Sequence, residues 1–103
     1  MSEQKKKNQI NIELSDEMAE GTYANLAIIT HSQSEFIVDF IKMMPGVPKA
    51  KVKSRIILTP QHAKRLYKAL QDNIAKFERL HGEIVVPESE VLPLNFGGPK
   101  AQA

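Results

Sequence analysis

"SRIILTPQHAKRLYKAL", residues 54–70, is where the spacing of apolar side chains changes from one period to another. Ile56 and Leu58 close a run whose earlier part, "KAKVK" at 49–53, sets lysines on alternate positions, the period of a half-exposed strand. From Ala63 onward the apolar positions are Leu66, Tyr67, Leu70, Ile74 and Phe77, the three- and four-residue steps of one helix face. Between the two periods stand Thr59, a good N-cap, and Pro60, whose missing N–H costs nothing in the first helical turn. His81 and Gly82 close the helix, the glycine offering a left-handed cap. A strand that feeds a long helix almost without a loop is the organising feature of the chain.

Upstream, three more stretches read as strands. "QINIEL" at 9–14 alternates Ile10, Ile12 and Leu14 with Asn11 and Glu13. "TYANLAIITH" at 22–31 and "FIVDFIKM" at 36–43 flank the turn "SQSE" and predict a hairpin. "SDEMAEG" between the first two is an acidic loop or a short helical turn capped by Ser15. "MPGVP" at 44–48 breaks the chain before the lysine-rich strand. The predicted fold is α+β: a four-stranded antiparallel meander with one long C-terminal helix packed on one face. Residues 1–8 read as a disordered tail, 9–82 as a single domain and 83–103 as an extended tail. Ile84, Val85, Val86, Val91, Leu92, Leu94 and Phe96 make that last tail too apolar for a free linker, which predicts that it docks.

The hairpin across the Pro-Gly loop predicts a register. If Phe36 faces Leu58, then Val38 meets Ile56, Phe40 meets Ser54, and Asp39 falls opposite Arg55 as a structural ion pair. Even positions would then share one face: Leu26, Ile28, Phe36, Val38, Phe40, Val52, Ile56 and Leu58, which the helix would cover. The odd face would hold Ala27, Ile29, Ile37, Ile41 and Ile57 beside Asp39 and Arg55. One helix cannot cover both sides of a sheet, so these five residues form a predicted homodimer interface, with the C-terminal tail as a further cover.

At 103 residues the chain fits one domain, and its net charge of +2 falls short of a dedicated nucleic-acid binder. Zero cysteines exclude disulfides and thiolate chemistry and fit a cytoplasmic protein. No apolar run reaches the ~20 residues of a membrane span, so no membrane partner is expected. No serine sits in a nucleophile elbow. His31, His62 and His81 are too scattered for a metal site, and the glycines form no phosphate cradle. These patterns predict no enzyme, no catalytic residue, no metal and no cofactor. Two uses remain. Lys51, Lys53 and Arg55, with Lys64, Arg65 and Lys68 on the helix, would suit phosphate contacts. The same strand lysines suit the wet side of an edge strand guarded against aggregation, which leaves a protein-interaction module, adaptor- or chaperone-like, with a protein partner of unidentified kind.

"YAN" at 23–25, "EFIVDF" at 35–40, "SRIILTPQHAKRLYKAL" at 54–70, Asn73, "FE" at 77–78 and Gly82 together resemble an uncharacterised prokaryotic family, domain of unknown function 3467. The resemblance spans roughly residues 10 to 84. It implies the domain boundaries and supplies no catalytic or binding residues. In topology alone, a four-stranded sheet joined to a long helix is similar to SecB-type export chaperones.

Overall fold

The computed structural model describes residues 9–87. It is α+β: helix α1 (Asp16–Ala19), strands β1 (Leu26–His31), β2 (Phe36–Lys42) and β3 (Lys51–Leu58), and helix α2 (Pro60–His81). The strands form one antiparallel sheet in the order β1-β2-β3.

Local chemistry sets each boundary. The Ser15 hydroxyl accepts from the Met18 N–H at 3.1 Å and opens α1. In the β1–β2 turn the Ser32 hydroxyl accepts from the N–H groups of Ser34 and Glu35, while its own N–H donates to the Glu35 carbonyl. Between β2 and β3, Val47 N–H donates to the Met44 carbonyl, with Pro45 and Gly46 at the turn's centre. Gly46 has φ +79°, as a type II turn demands at that position. Thr59 caps α2 by accepting from the His62 N–H at 3.1 Å, and Gly82 at φ +94° ends it by donating to the Glu78 carbonyl. Asn25 is not a stray polar residue. Its side-chain amide donates to the Met43 carbonyl and accepts from the Met43 N–H, adding a rung past the end of the β1–β2 ladder.

Four expectations require correction. First, the sheet has three strands, not four: residues 9–14 lie outside it, with Ile10, Ile12 and Leu14 exposed by 83, 89 and 71%. An alternating pattern defines a face but provides no partner, and among the described residues no hydrogen bond ties this segment to the sheet. Second, β1 lies with its faces reversed. The β2–β3 register is the expected one, Phe36 opposite Leu58 and Asp39 opposite Arg55, but β1 sets Leu26 against Ile41 and Ile28 against Asp39. His31 opposite Phe36 leaves an even number of residues in the turn, so even positions of β1 share a face with odd positions of β2.

Third, the ladder slips between Phe40 and Ile41. Phe40 pairs with Ser54 but Ile41 with Val52, so Lys53 is an extra residue and Val52 moves to Ile41's face. Fourth, α2 does not cover the sheet. None of its residues is buried, and Leu66, Tyr67, Leu70, Ile74 and Phe77 are all exposed. Thr59 alone joins β3 to α2, so the chain has no loop with which to fold the helix back. The buried apolar side chains are Val38 and Ile41 on the central strand, flanked by half-buried Leu26, Ile28, Phe36, Ile37, Phe40 and Leu58. Of the tail expected to dock, Ile84, Val85 and Val86 are exposed, and residues 88–103 fall outside the described residues, as does the 1–8 tail.

Because Ile41 is one of two buried aliphatics among the described residues, Ile41→Ala should lower the free energy of unfolding by about 2–5 kcal/mol in urea titrations. Val85→Ala, at an exposed position, should change it by less than about 0.5 kcal/mol.

Candidate functional site

Among the described residues the most buried polar group is Asp39, with 0% exposure, in the middle of β2. Directly across the ladder, Arg55 of β3 closes on it with two parallel bonds: Nε donates to Oδ1 at 2.6 Å and Nη2 to Oδ2 at 2.9 Å. The geometry is the bidentate fork that matches guanidinium to carboxylate. The hydrogen bond first, and the carboxylate's charge second, hold the Arg55 guanidinium even more firmly protonated than usual. With both oxygens engaged by one cation, Asp39 acts here as a structural anion. The pair sits on the sheet face that also carries Leu26, Ile28, Ile37, Ile41 and Ile57. Arg55 keeps about half of its side chain exposed, so the fork is open to water on one side only.

The five predicted interface residues are not brought together. Ile37, Ile41 and Ile57 share the ion-pair face, whereas Ala27 and Ile29 lie opposite Phe40 and Val38 on the other. Ile41 is buried, Ile37 half-buried, and Ile29 and Ile57 exposed. The six basic residues are also split. Lys51 and Lys53 are exposed at the start of β3, and Lys64, Arg65 and Lys68 are exposed on α2, which begins beyond the strand's other end. Five strand steps, roughly 17 Å, already separate Lys53 from the end of β3 at Leu58. Arg55 lies between them with its charge already paired.

Sequence reasoning missed Lys42. It stands opposite Lys51 because of the register slip, and its ammonium lies 5.9 Å from the centre of the exposed Tyr23 ring. Only the position of the bulge would have revealed it. The apolar stripe of α2 extends one turn further than expected, through exposed Leu80, and Tyr67, Leu70, Gln71 and Ile74 border a shallow depression along it. His31 stacks on Phe36 and His81 tilts against Phe77, so these imidazoles are placed by aromatic neighbours. Among the described residues no three His, Asp or Glu side chains converge, and no helix is long and apolar enough to cross a membrane.

The sequence matches, over residues 1–86, the family model described as protein of unknown function, DUF3467. The chain belongs to the DUF3467 family. No curated protein and no solved structure is similar to it at a significant level. The match covers the sheet, α1, α2 and the first residues beyond Gly82, so in this chain the matched region includes the Asp39–Arg55 pair and the whole α2 stripe.

Removing the partner of a buried charge costs more than removing the charge itself. Arg55→Ala should therefore lower the thermal midpoint further than Asp39→Asn. The double variant Asp39→Leu, Arg55→Leu should recover part of the loss, as a double-mutant cycle followed by circular dichroism would show.

Proposed function

We propose that this protein is a small, non-enzymatic, homodimeric protein-interaction module, adaptor- or chaperone-like, that works through its uncovered apolar surface. The observation that carries this reading is the α2 stripe. Leu66, Tyr67, Leu70, Ile74, Phe77 and Leu80 are exposed along one side of a 22-residue helix. At roughly 100 Å² of open surface for each such half-exposed side chain, the helix alone presents about 600 Å², at the upper limit of what monomeric proteins leave in water. Exposed Ile29, Val52, Ile56 and Ile57 on the sheet add to it. A stable dimer needs about 800 Å² from each partner, and this chain has that surface to give.

The spacing within the stripe favours a second copy as the cover. Ala63, Leu66, Leu70, Asn73, Phe77 and Leu80 follow alternating steps of three and four, the seam along which two helices interlock. With the helices engaged, exposed sheet residues remain for a protein partner, and extended apolar segments of other chains suit such a surface. The basic reading has one observation in its favour, the juxtaposition of Lys42, Lys51 and Lys53 at one end of the sheet. It lacks the contribution of Lys64, Arg65 and Lys68, which lie elsewhere.

Light scattering should give twice the chain mass, and Leu70→Lys should reduce the assembly to monomers or unfold it. A wild-type protein that stays monomeric at high concentration would end the homodimer reading. Immobilised single- and double-stranded DNA should fail to retain the protein at ~50 mM salt. Retention whose salt slope falls by about one for Lys51→Ala, and again for Lys53→Ala, would instead establish the phosphate-contacting surface.

A further inference from the structure

Residues 9–14, "QINIEL", have the sequence of a strand and, among the described residues, no partner. Their three apolar side chains are almost fully exposed, on the N-terminal side of a capped helical turn that is itself well defined by its Ser15 bond. Among the described residues the sheet has two open edges, and they differ. The β3 edge carries Lys51 and Lys53 and is interrupted by a bulge, both of which discourage pairing with another strand. The β1 edge, "LAIITH", has no lysine, no proline and no interruption in its register with β2. It is the unguarded edge, and an unguarded flat edge binds any strand that can reach it.

We propose that residues 9–14 of one copy add as a fourth strand to β1 of a second copy, each protomer giving one strand and receiving one. The segment has six residues, and so does β1. Its alternation would set Ile10, Ile12 and Leu14 on one face of the enlarged sheet and Asn11 and Glu13 on the other. Each copy has, among the described residues, one unpaired segment and one unguarded edge, so reciprocal exchange satisfies both and closes at two chains, with no donor segment and no free β1 edge left to recruit a third. Main-chain hydrogen bonds would give the exchange its affinity, and the alternating side chains its register. The proposal rests on the homodimer reading above and adds the element that is exchanged.

The test uses the full chain. Protomers labelled with nitrogen-15 and protomers labelled with carbon-13 are mixed, unfolded and refolded together, and contacts between the two labels are recorded by filtered NMR. Strand exchange predicts intermolecular contacts between residues 9–14 and 26–31, and amide exchange in 9–14 at least about tenfold slower than in a free chain. Neighbouring N–H groups of a strand point to opposite sides. At least one of Asn11→Pro and Ile12→Pro should therefore weaken the dimer about tenfold or more, while Asn11→Ala should not. A dimer in which β1 meets β1, or in which 9–14 contacts only its own chain, would overturn the exchange and leave the homodimer standing. A monomer would overturn both.

Discussion

A three-stranded sheet has two faces and two edges, and at least one face must be covered by something other than water if the sheet is to persist. In this chain the natural cover, the 22-residue helix, stays off the sheet and leaves its own apolar stripe exposed. The reason is local. Thr59 has to end β3 and cap α2 at once, which leaves no residues for a loop between strand and helix. The strong strand-to-helix boundary thus creates the exposed surface on which the proposed assembly depends. Burial of Val38 and Ile41, with a rim of half-buried neighbours, is a small core for ordering a chain of this length.

The Asp39–Arg55 fork supplies a different service. Placing a carboxylate at the centre of an otherwise aliphatic face is costly, and only one strand alignment gives it a cation in bidentate geometry. A slip of β3 by one residue would leave the charge buried against Ser54 or Ile56, so the pair fixes the register of the two best-connected strands. Asn25 does comparable work at the other side of β2 by gripping both backbone groups of Met43. Polar residues, not apolar ones, determine which strand positions meet.

These polar devices are the part of the fold that could be read from residues alone. The helix start at Thr59–Pro60 and the opposition of Asp39 and Arg55 each follow from a side chain with one chemically sensible partner. The faces of β1 were legible too: a four-residue turn, Ser32–Glu35, sets His31 opposite Phe36 and so even positions of β1 against odd positions of β2, a parity that grouping all even positions on one face overlooks. The bulge at Lys53 was silent, and with it the meeting of Lys42 and Lys51. Periodicity also shows that the α2 stripe and Ile10, Ile12 and Leu14 need cover without saying whose. That gap separates an expected compact four-stranded domain from the open three-stranded one observed.

If the apolar surfaces are completed by a second copy, folding and association are one process. The most direct measurement is the urea midpoint of the full chain over a hundredfold range of protein concentration. An obligate dimer predicts a midpoint that rises steadily with concentration, because mass action stabilises the associated native state. A midpoint independent of concentration, with unfolding as a single cooperative transition, would show that the monomer stands on its own and would contradict the account.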